Sequence, residues 1–228
     1  MVVEGDTKVV ISPGQFVNIR IEGCFLRRPI SICDWNDKTI TLLYKVVGKG
    51  TEILSEMKPL TKLDMLVGLG NGFSIKDSKV PMLIGGGIGL APLFGLCRRM
   101  PQKTVVVIGA DTQRSLFFVD EFKSLGADVI ISTDDGSEGT KGFVTDAIKT
   151  NNIECDYFYT CGPMPMMNAL NTYLPETVPG QFSLESRMGC GFGACVGCSI
   201  ETTNGVKRIC KDGPVFYRND LRNECHKM

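Results

Sequence analysis

Histidine is nearly absent from this chain of 228 residues: the single one, His226, stands beside Cys225 close to the C-terminus. So near an end it reads as part of a frayed tail rather than as a ligand. No convincing acid–base pair for deprotonating a carbon substrate is found either, so substrate chemistry of that kind is expected on another chain. Charge of one sign is also missing. Lys+Arg and Asp+Glu both number 25 and the net charge is zero, which leaves no field pointing to nucleic acid or an anionic membrane. The start, Met1-Val2-Val3-Glu4-Gly5-Asp6, has early acids and no basic segment ahead of an apolar core, unlike a signal peptide. Val80 to Cys97 lacks charge and sits at the lower length limit of a membrane helix. Glycines and a proline interrupt its middle, so strand, glycine turn and helix fit better. The sequence thus predicts a soluble, cytoplasmic protein, and it shows no internal repeat or low-complexity stretch.

Cysteine, by contrast, is plentiful. Ten cysteines in a chain read as unexported point to thiols and metal ligands rather than to a disulfide framework. Cys190, Cys195, Cys198 and Cys210 follow C-x4-C-x2-C-x11-C, the plant-type ligand spacing of a [2Fe–2S] cluster, which moves one electron at a time. The segment Gly189 to Cys198 is rich in glycine and small residues, suiting a backbone that wraps a cluster and aims N–H groups at its sulfurs. A zinc site or two disulfides are the alternatives. Zinc favours paired C-x2-C units, and only one such pair is present. Cys24, Cys33, Cys97 and Cys155 read as small packing residues.

The first seventy or so residues read as β structure. Val9–Ile11, Phe16–Ile21, Pro29–Cys33 and Thr39–Val47 are short β-branched or alternating runs, separated by Pro13-Gly14, Gly23, Asn36-Asp37 and Gly48-Lys49-Gly50. Such spacing predicts a small barrel or sandwich, with a short helix over Thr51–Met57. From Val80 apolar strands at Met82–Ile84, Thr104–Ile108, Val129–Ser132 and Tyr157–Thr160 alternate with helical stretches near Leu93–Arg99, Leu116–Leu125, Val144–Lys149 and Met166–Tyr173. That alternation predicts a doubly wound parallel sheet, with ligands beyond its C-terminal strand ends. Gln181–Glu185 reads as a last strand before the cysteine segment. The expected division is a β-barrel over 1–78, an α/β domain over 79–186 and a cysteine tail over 187–228.

Four further constellations carry chemistry. Gly85-Gly86-Gly87-Ile88-Gly89 follows a strand and opens a helix, so its backbone can approach a pyrophosphate; it is not the G-x-G-x-x-G fingerprint, and a helix start packed closely on its sheet is the alternative. Arg28-Pro29-Ile30-Ser31 sits on a barrel strand, where the arginine could fork a phosphate or simply face solvent. Gly48-Lys49-Gly50-Thr51 is either a phosphate-accepting helix start or a hairpin turn. Cys161-Gly162-Pro163 follows a strand at the ligand-binding edge, or is a buried cysteine and an ordinary turn. Asp111, past the second α/β strand, suits an adenosine ribose hydroxyl. Arg114 and Ser115 nearby would suit a 2′-phosphate, and NAD is the preferred reading.

Taken in order, these segments resemble the ferredoxin–NADP reductase superfamily. With the cysteine tail the chain is most similar to one family in it, the electron-transfer subunits of class 1B dihydroorotate dehydrogenase. Pro13-Gly14-Gln15-Phe16, Gly70-Asn71-Gly72-Phe73, Thr133-Asp134-Asp135-Gly136, Ser183-Leu184-Glu185 and Cys210 to Phe216 match too, so the resemblance covers almost the whole chain. It implies FAD held by Arg28 through Ser31, Leu43-Tyr44-Lys45 and Gly50-Thr51. It also implies NAD at the glycine turn with Asp111 and Cys161-Gly162-Pro163, and a [2Fe–2S] cluster on the four cysteines. It further implies an FMN-containing catalytic partner that oxidises dihydroorotate in pyrimidine biosynthesis, in an assembly of two of each subunit. Ile30 stands where many superfamily relatives carry tyrosine. Two departures are that a first strand is expected to be short or absent and that Val67-Gly68-Leu69-Gly70 lacks a proline. The competing readings are a self-standing NAD(P)H:acceptor reductase, or one serving another complex, and a zinc-stabilised nucleotide-binding module that transfers no electrons.

Overall fold

A computed structural model describes residues 1–221; Cys225 and His226 lie outside the described residues. Five strands form the N-terminal antiparallel sheet: β1 (Val2–Glu4), β2 (Phe16–Arg20), β3 (Arg28–Trp35), β4 (Thr39–Leu42) and, after helix α1 (Lys49–Ser55), β5 (Asp64–Leu69). Their order is β1-β4-β3-β2-β5, a half-barrel around Val10, Val17, Ile19, Ile32, Ile40, Leu42 and Leu54. β1 is three residues long, the short first strand that was expected. The alternation of β2 sorts its side chains: Val17 and Ile19 enter this core, while Phe16 joins a different one that contains Cys198 and Cys210.

Two sequence expectations fail here for identifiable reasons. Val9–Ile11 forms no strand. The Val10 N–H turns back to the Thr7 carbonyl at 2.9 Å, and the Gln15 carboxamide oxygen takes the N–H groups of Ile11 and Ser12 at 2.8 and 3.1 Å. The expected strand over Thr39–Val47 ends at Leu42; the segment beyond it leaves the sheet, and its first three residues line a cleft described below.

The second sheet contains β6 (Pro81–Gly86), then, after helix α2 (Leu90–Cys97), β7 (Val105–Ala110). Helix α3 (Val119–Ser124) leads to β8 (Asp128–Thr133) and β9 (Thr140–Lys141), and helix α4 (Val144–Thr150) to β10 (Tyr157–Cys161). Helix α5 (Met164–Tyr173) precedes β11 (Gly180–Ser183). The tail adds the hairpin β12 (Ser199–Thr202) and β13 (Gly205–Arg208), and β14 (Val215–Tyr217). The large sheet runs β14-β11-β10-β6-β7-β8-β9, parallel throughout except for β14 against β11. Leu90, Leu93, Leu96 and Phe122 pack one face, and Val144, Ala147, Ile148, Met167 and Leu170 the other. This is the doubly wound arrangement expected.

The chain reverses direction across the sheet between β6 and β10, the switch point where ligands bind in such folds. Val80 to Cys97 divides into β6, a glycine turn and α2, and no helix among the described residues is long and apolar enough to cross a membrane. Arg218, after β14, donates to the carbonyls of Asn171, Leu174, Pro175 and Val178 at 2.6–2.8 Å. It thereby satisfies acceptors at the end of α5 and pins the tail to the sheet domain.

Candidate electron-transfer site

Three groups of residues define the site. The first is the cysteine loop. Gly191 and Gly193 have φ of +80° and +94°, conformations open to glycine, and they curl the backbone so that amides face sulfur. The N–H groups of Ala194 and Cys195 lie 3.2 and 3.4 Å from the Cys190 sulfur, the Cys190 N–H lies 3.4 Å from that of Cys195, and the Cys210 N–H lies 3.4 Å from that of Cys198. Burial pushes the Cys190 thiol up, but the amides of Cys195, Phe192 and Ala194, together with the Cys195 thiol, outweigh it and hold the group below its usual value. Burial is the largest cause raising the Cys210 thiol, followed by the Cys198 and Cys190 groups. Sulfurs that oppose one another's ionisation while amides wait for negative charge fit a cationic iron–sulfur core. All four are free of disulfides. Among the described residues no group of three or more His, Cys, Asp or Glu is arranged to hold a single ion.

The loop is tied down from both sides. The Asn18 amide of β2 donates to the Cys190 carbonyl at 3.1 Å. Arg208 donates to the Gly193 carbonyl at 2.8 Å and is itself held by Asp212. Asn71 donates to the Lys211 and Asp212 carbonyls at 3.2 and 3.1 Å. Neither Asn18 nor Asn71 stood out as a site residue in the sequence, although Asn71 belongs to a segment that carried the family resemblance.

The second group lies on the half-barrel. Arg28, Pro29, Ile30 and Ser31 open β3, in register with β2 as Ile19↔Arg28, Asn18↔Pro29, Val17↔Ile30 and Phe16↔Ser31. Cross-strand partners share a face, so Pro29 and Ser31 lie on the side of Asn18 and Phe16, toward the cysteine loop. Arg28 crosses to α1: a Cβ on Gly50 would collide with the Arg28 Nε. Thr51 accepts the N–H groups of Val47 and Gly48 at 3.0 and 3.3 Å, fixing the turn into the helix. The cradle at Gly50, filled by a guanidinium, fits a phosphate-bearing cofactor.

The third group surrounds a cleft of ≈ 1300 Å³ at the carboxyl ends of β6, β7 and β10. Leu43, Tyr44 and Lys45 line it from the half-barrel, facing Gly86, Gly87, Gly89, Asp111, Gly162 and Pro163. A Cβ on Gly89 would run into the Cys161 carbonyl and lie 2.7 Å from the Gly162 nitrogen, so the turn after β6 presses on the end of β10. Gly85 and Cys161 face each other in register behind the cleft wall. Cys161 is 2 % exposed, and burial, reinforced by the negative charge of Glu185, pushes its thiol up to about 12; it is a neutral, inert thiol. Ser132 belongs to the cleft wall, and its buried hydroxyl has no hydrogen-bond partner among the described residues. Glu185 also faces the cleft; the residue keeps solvent access, while the chain packed around its carboxyl desolvates it and raises it. The sequence offered no signal for Glu185 beyond its place in the matching Ser183-Leu184-Glu185 segment, and none for Phe117, Phe118 and Phe143, which line the cleft as well.

Known proteins bear on this geometry. Residues 185–222 match the iron–sulfur cluster binding domain of dihydroorotate dehydrogenase B, and residues 83–172 match the oxidoreductase NAD-binding domain. The dihydroorotate dehydrogenase B (NAD(+)) electron transfer subunit of Fusobacterium nucleatum subsp. nucleatum is 41% identical over 230 residues, spanning 93% of this chain and 88% of that one. The protein of the same description from Geobacillus sp. is 42% identical over 224 residues, spanning 92% and 86%. Among solved structures, a chain of the NADH-dependent reduced ferredoxin-NADP oxidoreductase superposes with a TM-score of 0.84 at 32% identity, over 94% of this chain and 80% of that one. The FAD/NAD-binding domain of a Vibrio cholerae nitric oxide dioxygenase superposes at 0.63 and 16% identity, over 78% and 86%, a likeness of fold.

Proposed function

This chain belongs to the electron transfer subunits of dihydroorotate dehydrogenase B (NAD+), and from that premise we propose that it carries electrons between a catalytic partner subunit and NAD+ through a [2Fe–2S] cluster and FAD. The partner is an FMN-containing chain that oxidises dihydroorotate to orotate, assembled with this one as two of each in the cytoplasm. One observation carries the reading. The strand pair β2–β3 meets the cysteine loop through Asn18 and Cys190, while the segment after β4 meets the nucleotide cleft through Leu43, Tyr44 and Lys45. A flavin seated on this half-barrel borders both.

Bound flavin and cluster supply the exchange between a hydride and single electrons; the residues of this chain hold and orient them. Cys190, Cys195, Cys198 and Cys210 ligate the irons, and the loop amides set the charge the cluster tolerates. Arg28 would neutralise flavin phosphate beside the turn that Gly50 and Thr51 shape, and the strand segment Pro29-Ile30-Ser31 would border the ring system. The backbone at Gly86, Gly87 and Gly89, with Gly85 behind it, would admit the nicotinamide nucleotide's pyrophosphate, Asp111 would take a ribose hydroxyl, and Gly162 and Pro163, backed by Cys161, would wall the cleft. Residues 1–78, 79–186 and 187–228 serve as the flavin, nucleotide and cluster modules.

Cys195→Ala tests the relay in the complex with the catalytic subunit. Iron and acid-labile sulfide should be lost together with dihydroorotate-driven NAD+ reduction, while FAD content and NADH oxidation by an artificial acceptor persist. Dihydroorotate-driven reduction that survives without the cluster would refute the relay. A colourless parent protein would favour the zinc-stabilised module instead.

A further inference from the structure

Asn18 occupies a place that packing alone does not explain. It is 1 % exposed, its Nδ2 donates to the Cys190 carbonyl, and its Oδ1 is buried with no hydrogen-bond partner among the described residues. A buried acceptor left unpaired costs about 1–3 kcal/mol. Leucine has nearly the same branched shape, lacks that cost and suits the interior of a strand. The cysteine loop is also moulded to the amide: at Gly191, with φ +80°, any Cβ would run into the Asn18 Nδ2. Asn18 pairs across the sheet with Pro29, so one side chain joins the strand assigned to flavin to the peptide of a cluster ligand, across 172 residues of sequence.

We propose that Asn18 is a positioning residue for electron transfer, holding the Cys190 peptide against the flavin strand and raising the cluster's reduction potential by hydrogen-bonding that peptide's carbonyl. The inference rests on the cluster and flavin assignments above. A carbonyl oxygen carries negative charge that opposes addition of an electron to the adjacent cluster. A donor on that oxygen withdraws part of the charge, and hydrogen bonding around the ligands is one of the levers that set such potentials.

The test uses the holo-complex with its catalytic subunit. Iron and acid-labile sulfide are measured first in the parent protein; their absence would sink the cluster assignment itself, separately from any role of Asn18. With a full cluster, Asn18→Leu should melt no lower than the parent. At a fixed ambient potential its reduced-to-oxidised cluster ratio, read by paramagnetic resonance, should fall about three- to tenfold, tenfold being 59 mV for a one-electron couple. Reduction of the cluster after flavin reduction by NADH should slow in stopped-flow absorbance. Asn18→Ala should shift the ratio the same way and supplies the reading where leucine does not fit. Gly191→Ala, which drives the amide off the carbonyl, should shift it likewise, and its effect should shrink in the Asn18→Ala background because both remove one interaction. A ratio within twofold of the parent in both Asn18 variants, or additive effects of Gly191→Ala and Asn18→Ala, would overturn the proposal. So would loss of the cluster from both Asn18 variants with FAD retained, which would place Asn18 in assembly instead.

Discussion

Gly50→Ala separates the fold of the half-barrel from its proposed grip on FAD. Gly50 is the second residue of α1 and is buried, and its backbone is not among those with positive φ. Replacing glycine by alanine inside a helix gains about 0.5–1 kcal/mol. The new methyl would collide with the Arg28 Nε and lie 3.0 and 3.1 Å from its Cζ and Cγ. That obstacle is a flexible side chain rather than backbone, so the arginine yields and the fold does not. Among the described residues Arg28 is otherwise held only by Nη1 donating to the Leu26 and Arg27 carbonyls at 2.5 and 3.5 Å, bonds that swing with it. Its guanidinium then no longer meets the flavin phosphate. A hydrogen bond to a charged group contributes about 1.5–3 kcal/mol, which at 1.4 kcal/mol per tenfold predicts FAD binding weaker by roughly ten- to 150-fold. Quenching of FAD fluorescence on titration into the flavin-free protein measures the affinity, and thermal unfolding of the same sample measures the fold. Unchanged affinity in a well-folded variant would remove Arg28 from the flavin site. A large drop in melting temperature would show that the arginine cannot yield.

Gly89→Ala should behave in the opposite way, because its methyl meets the Cys161 carbonyl and the Gly162 nitrogen and backbone cannot swing aside. Overpacking of about 1–3 kcal/mol should lower the melting temperature and raise KM for NADH with ferricyanide as acceptor; parental values for both would break the link between this turn and the nucleotide. Burial holds the Glu185 carboxyl above its ordinary value of 4.5, so the folded state binds that proton more tightly than the unfolded chain. The stability this contributes is complete below the unfolded value and is lost as pH rises through the folded one. Glu185→Gln should therefore gain stability over the parent as pH rises from below the ordinary carboxylate value through the raised one, read as the difference in melting temperature; a difference that stays constant as the carboxyl ionises would contradict the desolvation argument.

What the sequence disclosed follows from how far apart the interacting residues lie along it. The proposed cluster ligands stood out because three of the four cysteines fall within Cys190–Cys198 at the plant-type spacing, with a fourth following in the tail. The α/β strands and helices were legible because each keeps its own apolar period; α2 begins at Leu90 rather than near Leu93 only because the turn through Gly89 winds directly into it. Val9–Ile11 misled because its β-branched residues satisfy local propensity, yet the Val10 N–H turns back to the Thr7 carbonyl and the Gln15 side chain takes the N–H of Ile11. Arg28 and Gly50 could be joined only by resemblance, since their contact crosses from β3 to α1. Asn18 was invisible: nothing near it in sequence indicates a partner at Cys190.

The decisive feature of the architecture is that β2 has two faces with different duties. Val17 and Ile19 are part of the half-barrel core; Phe16 packs in the cluster containing Cys198 and Cys210, and Asn18 bonds Cys190. The tail therefore docks on the strand next to the one that carries Arg28–Ser31, with no linker between them to flex. Its other attachments, β14 paired on β11 and Arg218 capping carbonyls after α5, bind it equally to the nucleotide domain. A segment fixed to both neighbours cannot swing between carriers, so electrons cross at distances set by packed strands. The cysteine loop meanwhile exposes Cys195, Phe192 and Val196 at its outer side.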